Sequence, residues 1–197
     1  DIGTLQLLGC YDYPGRGYLE ALGIGLKPDR HAVYLRANFA TVKKTGKSYK
    51  IIDRRAGRDE NCLDELTKEI NKIKVNGAKI KFYRGVGHRG ILILSGKGLL
   101  WNVSESDLGT RIEKIRALDK SAKKTADILN EFIEKSYDVL NNSPANKNRK
   151  KKANFLLLRG VGHHTPAKKF AEKFKLKAAI ISGVGIVKGV GKYLGLD

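Results

Sequence analysis

The sequence predicts an α/β domain, a mixed sheet layered with flanking helices, on three observations. Runs rich in β-branched and aromatic residues alternate with stretches of helical period; loops between them are punctuated by glycine; and Ser121 to Leu140 reads as the longest helix, with Ala126, Leu129, Ile133, Tyr137 and Leu140 on one stripe. At 197 residues the chain can bury one core of respectable size, so a single domain is expected.

Asp1 to Leu8 is a short amphipathic start, and Tyr13-Pro14-Gly15-Arg16-Gly17 is a turn. Tyr18 to Leu22 reads as a short helix stopped by Gly23 and Gly25. Ala32 to Phe39 and Ser48 to Asp53 read as a hairpin across Lys43 to Lys47, which would bring Arg36 and Asn38 near the residues after Asp53. Leu63, Leu66, Ile70 and Ile73 mark one face of a helix over Asn61–Ile73, ended by Gly77. Ala78 to Tyr83 and Gly90 to Leu94 are two further strands, Ser95 to Asp119 has little pattern, and Asn141 to Lys152 reads as a solvated basic connector. The last third predicts a strand at Phe155 to Leu158, a helix at Ala167 to Phe174, a strand at Ala178 to Ser182 and a helix at Val184 to Leu194.

The chain carries a formal net charge of +19, which points to an anionic partner: nucleic acid, an acidic membrane surface or small phosphorylated substrates. A lysine-rich surface is also how proteins of hot environments are composed. Two cysteines without CxxC spacing indicate neither a disulfide framework nor a zinc site, and a reducing cytoplasm is the default. No apolar run reaches the roughly 18 residues that span a bilayer. The start at Asp1 and the absence of methionine predict a piece of a longer polypeptide.

The chemistry concentrates in Ile51-Ile52-Asp53-Arg54-Arg55-Ala56-Gly57-Arg58. Three guanidiniums within five residues, directly after a strand, can grip a carboxylate or phosphate through forked hydrogen bonds, or can form a solvated basic turn. Side chains alternate faces along a strand, so two of Arg54, Arg55 and Arg58 are expected to reach the ligand, with Arg36, His88 or Arg89 opposite. The third is expected to pair with Asp53 or another carboxylate. Arg-Gly-Val-Gly-His occurs twice, at Arg84–His88 and Arg159–His163, each after a strand; the first copy could hold an oxyanion, and the second is read as a plain turn with His163 and His164 in solvent. Gly183-Val184-Gly185 resembles a dinucleotide-binding turn but reads better as a helix entrance. No P-loop, His-Glu-x-x-His or Gly-x-Ser-x-Gly motif is present.

Several phrases together resemble one family. Pro14-Gly15-Arg16-Gly17, Glu20-Ala21-Leu22-Gly23, Arg36-Ala37-Asn38-Phe39-Ala40-Thr41, Ile52 to Arg58, and His88-Arg89 follow the order of archaeal-type cofactor-independent phosphoglycerate mutases. Lys124-Thr125-Ala126, Leu129-Asn130-Glu131, Asn146-Lys147, Leu157 to Gly160 and Gly189 to Asp197 continue the likeness. The resemblance implies a metal-dependent isomerase of the alkaline phosphatase superfamily, interconverting 2-phosphoglycerate and 3-phosphoglycerate in glycolysis and gluconeogenesis through a phosphoserine. Residues 1–197 look like its inserted substrate-handling domain. The nucleophilic serine is expected just before Asp1, so this chain holds no catalytic residue and is expected to be inactive alone. Two divalent ions (manganese, magnesium or zinc) belong to a separate phosphatase-like domain, the expected partner. Substrate binding would fall to Asp53, Arg54, Arg55 and Arg58 with Arg16, Arg36, Asn38, His88 and Arg89. The family has histidine at the position of Thr4, and an acidic phrase ending in Pro-His where Ser104 to Gly109 stands. The resemblance implies a cytoplasmic protein with no membrane partner. Two other readings are a basic module holding nucleic acid, which the resemblance disfavours, and a relative, such as the phosphonopyruvate decarboxylases, acting on another phosphorylated metabolite.

Overall fold

A computed structural model describes residues 1–197. Its axis is β1 (Ala32–Thr45), whose run of β-branched and aromatic residues is buried almost throughout. Beside it lie β4 (Arg89–Ser95) on one edge and β5 (Phe155–His163) on the other, with β3 (Lys79–Arg84) outside β4. Past a bulge at Thr41/Val42, β1 pairs with β2 (Ser48–Asp53), which sets Thr41 opposite Asp53. The layered α/β class stands, and every pairing in the sheet is antiparallel. The segment that could have run parallel, Ala178–Ser182, forms no strand: its only backbone bonds of this kind link Ile180 and Ala178 to Asp197. An apolar run becomes a strand only where an edge receives its N–H and C=O groups, and Ile181 is fully exposed.

The two faces of β1 separate two clusters of buried residues. Val33, Leu35, Ala37 and Phe39 face α3 (Leu63–Ile70) and α4 (Lys123–Asn142) in the main core. Ala32 and Tyr34 face α1 (Ile2–Leu7), α2 (Arg16–Gly23) and α6 (Gly185–Leu194) in a smaller one. Leu129, Phe132 and Leu140 of α4 are completely buried, each contributing about 1.5–3 kcal/mol; Phe132→Ala would cost about 3–5 kcal/mol. Asp119 caps the turn leading into α4 by accepting from the Ser121 and Ala122 amides. The helix stops at Ser143, whose extended backbone is what a following proline demands.

Two helices are shorter than the sequence predicts, α3 ending at Ile70 rather than Ile73 and α5 covering only Phe170–Phe174, whereas α2 takes in Arg16 and Gly17, read as a turn. The connector Asn141–Lys152 is not wholly solvated. Asn146 is buried, donates to Leu140 and Ala153 carbonyls and accepts from the Ala153 amide, so it folds the basic run back on itself. The Ser104–Glu113 loop runs along β5: the Ser106 and Asp107 amides donate to the Leu158 carbonyl and close the outer sheet edge. No helix is long and apolar enough to cross a membrane.

Candidate anion-binding site

Arg36 and Asn38 follow Tyr34 on the same face of β1, just past the part that α2 covers. Directly opposite them stand Arg159 on β5 and Arg89 on β4, so the register alone aligns three arginines on one face. Arg16 on α2 joins Arg36 and Arg89 in lining a cavity of about 350 Å³ bounded by Glu20, the Gly85–Val86 turn and the first residues of α6, with Arg159 just outside the lining. A helix of this length turns unpaired N–H groups and a partial positive charge toward the cavity.

Two carboxylates serve this group: Asp107 lies 3.8 Å from an Nη of Arg159, and Glu20 serves Arg16 and Arg36. Arg16 donates through Nε to Glu20 at 2.7 Å, whereas the Nε of Arg36 is 3.8 Å from the same oxygen. Arg36 is buried and its Nε has no hydrogen-bond partner; the Oδ1 of Asn38 is likewise buried and alone. Burial lowers the Arg36 pKa, Glu20 partly restores it, and Arg16, Arg159 and Arg89 lower it further. A buried, incompletely paired guanidinium among cations is costly, and an anion in the cavity would relieve it. His88, at the foot of β4, is pushed below its usual range by burial and by Arg89, Arg36 and Arg58, against a weaker opposing pull from Asp53. The shift favours the neutral imidazole, which can donate or accept.

The turn after β2 arrives from the other side. Asp53 accepts from the Arg55 amide at 2.8 Å and pairs with Lys151, whose hydrogen bond is the chief reason its carboxyl lies below the ordinary range. Arg54 is spent: one of its nitrogens lies 2.6 Å from both oxygens of buried Asp107, and another donates to the Gly109 carbonyl. It is thus the third arginine of the expectation, the one that pairs with a carboxylate. Arg55 and Arg58 remain exposed, and the charge of Arg58 adds to that of Arg89 and Arg36 in lowering the His88 pKa. Ala56, Gly57 and Arg58 all have positive φ, at 46°, 73° and 56°. Left-handed backbone costs about 1–2 kcal/mol at each non-glycine residue, so something must hold this turn.

Of the predicted residues, Arg16, Arg36 and Arg89 line the cavity, Asn38 faces Arg89 across the strand pair, and His88 precedes Arg89; Arg58 and Asp53 reach this group through their charge on His88, and nothing brings Arg55 into it. Sequence reasoning missed Arg159, Asp107 and Glu20 as site residues. The signal for Arg159 was present in the second Arg-Gly-Val-Gly-His; Asp107 pairs with Arg54 across 53 residues and gave none.

A sequence profile of the 2,3-bisphosphoglycerate-independent phosphoglycerate mutases matches residues 1–146. The chain belongs to that family. It is 43% identical over 210 residues to 2,3-bisphosphoglycerate-independent phosphoglycerate mutase 1 of Methanocaldococcus jannaschii, a match covering all of this chain and 50% of that one. To the Archaeoglobus fulgidus protein of the same name it is 40% identical over 212 residues, covering all of this chain and 51% of the relative. Among solved structures, the cofactor-independent phosphoglycerate mutase of Thermoplasma acidophilum superposes with a TM-score of 0.72 at 34% identity, over 98% of this chain and 55% of that one. The chain thus spans about half the length of the curated mutases it matches.

Phosphoglycerate mutases of this family are expected to use divalent ions, and the residues present do not fit that role. No three His, Cys, Asp or Glu side chains converge anywhere, and the carboxylates nearest the site, Glu20, Asp53 and Asp107, are each engaged by arginine or lysine.

Proposed function

We propose that this chain is the substrate-gripping domain of a phosphoglycerate mutase that interconverts 2-phosphoglycerate and 3-phosphoglycerate through a phosphoserine. The observation that carries the reading is Arg36, buried with an unpartnered Nε among Arg16, Arg89 and Arg159. A phosphoglycerate brings two anionic groups, so its holder needs two separate cationic contacts. Arg36 with Arg159 and Arg16 supplies one, and Arg89 with Arg58 the other. The bare Oδ1 of Asn38 suits the hydroxyl of the glycerate, and neutral His88 can donate to a phosphate oxygen without adding charge.

Phosphoryl transfer asks a protein chiefly for positioning and charge neutralisation. This domain would hold the glycerate while the phosphoryl group leaves one oxygen and returns to the other. The nucleophilic serine and the divalent ions, which supply electrophilic activation, are assigned to a phosphatase-like domain outside residues 1–197. A cytoplasmic enzyme follows from the substrate, a soluble glycolytic intermediate. Purified free of host mutase, the chain alone is expected to fold and to turn over no phosphoglycerate; measurable mutase activity from it would overturn the assignment.

A further inference from the structure

The left-handed turn Ala56–Gly57–Arg58 is held from behind by a residue outside the cavity of Arg16, Arg36 and Arg89. Arg149 lies in the basic connector after α4, and its side chain is 2% exposed. It donates to the carbonyls of Ala56 at 3.1 Å, Asp59 at 2.8 Å and Asn61, reaches the Asp59 carboxylate at 3.4 Å, and bonds the Lys151 carbonyl through Nε at 3.3 Å. All but the last of these acceptors lie within three residues of Arg58. The same connector supplies Lys151, which pairs with Asp53 and whose aliphatic carbons lie along the open side of Gly57. Buried Asn146 fixes the connector in that shape.

We propose that Arg149 is a positioning residue for substrate binding: it holds the strained turn that presents Arg58, clamping it on both sides. This rests on the reading that the arginine cluster holds the phosphoglycerate. A guanidinium suits the task because its five donors diverge in a fixed plane and can serve separate carbonyls at once, whereas an ammonium concentrates three donors at one point. Removing the clamp would let Ala56 and Arg58 relax out of the left-handed region, and Arg58 would no longer be presented as it is.

The test is a double-mutant cycle on kcat/KM for 3-phosphoglycerate, in the metal-loaded enzyme at its relatives' full length, well below its melting temperature. Arg149→Lys is expected to lower kcat/KM about tenfold to a hundredfold, mainly through KM, and to have little further effect once Arg58→Ala is present, since a residue acting through Arg58 cannot act without it. Guanidinium ion should restore part of the loss in Arg149→Ala. If Arg149→Lys does not fold, Asp59→Asn, which removes the charge of the half-buried carboxylate and keeps an oxygen for the Asn61 amide, decides: a loss of about twofold to tenfold that disappears in the Arg58→Ala background supports the proposal. Unchanged kcat/KM, or losses that multiply with that of Arg58→Ala, would overturn it. If Arg58→Ala itself is silent, the reading of the site has failed rather than the role of Arg149.

Discussion

Two copies of Arg-Gly-Val-Gly-His occupy opposite ends of this fold's logic. In the first, β3 ends at Arg84, which donates to Asp64 at 2.7 Å and Glu60 at 2.9 Å on the surface. Gly85 to Gly87 make an open turn, and His88 follows beside Arg89, its carbonyl accepting from the Phe39 amide and its ring under the charge of Arg89 and Arg36. In the second copy the strand continues through all five residues, with Gly160 in the left-handed region where the β1 register shifts. There Arg159 faces Arg36, and His163 lies stacked on Trp101 with ring centroids 4.4 Å apart. The first copy gives its histidine to the site and the second its arginine. Strand phase, not the motif, assigns the role: where the strand stops decides which residue of the five turns inward.

Exchanging each arginine for lysine should separate the copies most widely. In the full-length mutase, Arg159→Lys should cost roughly tenfold to a thousandfold in kcat/KM, about 1.4–4 kcal/mol of transition-state binding. Arg84→Lys should leave the kinetics unchanged and lower stability by about 0.2–1 kcal/mol, as exposed ion pairs do. Equal kinetic losses would erase the distinction.

The glycines sharpen it next. A methyl group at Gly162 would meet the Pro14 carbonyl oxygen at 2.5 Å and Tyr18 at 3.0 Å, because α2 crosses β5 there with backbones nearly touching. Gly162→Ala should therefore cost about 1–3 kcal/mol or more by urea unfolding. Gly87 has no atom within 4 Å of such a methyl and only its positive φ opposes substitution, so Gly87→Ala should cost about 1–2 kcal/mol.

The smallest effect is a pH dependence. The pKa of His88 is depressed in the fold, so its contribution to stability is present above the unfolded value near 6.5 and is lost as pH falls through the folded value. His88→Gln should flatten the stability profile below pH 6.5. Inorganic phosphate, bound among the arginines, should raise the His88 pKa in an NMR titration and leave His163 where it is. Equal shifts of both histidines would mean that phosphate binds without regard to the cluster.

Much of the fold was legible because its signals are local. The β-branched run at Ala32, the hairpin to Ser48 and the stripe along Leu129, Ile133 and Leu140 each announce their own element. Ala178–Ser182 has the composition of a strand, but strandhood depends on a partner that no local window contains. The site was legible as composition and not as pairing. Three arginines after Asp53 advertised an anion, yet only tertiary structure could commit Arg54 to Asp107 and bury Arg149 from a lysine-rich run that reads as solvated. Charge patterns tell what a region attracts; which cations stay free is settled by the carboxylates that distant segments bring.

The central claim is that the arginines of the sheet face hold phosphoglycerate. Arginine Nε–H NMR resonances of the chain, followed through a titration with 3-phosphoglycerate, test it most directly. The account predicts shifts at Arg36, Arg58, Arg89 and Arg159 that saturate together, with Arg84, Arg111 and Arg116 unmoved. Resonances that never move, or that move uniformly over every surface arginine, would contradict it.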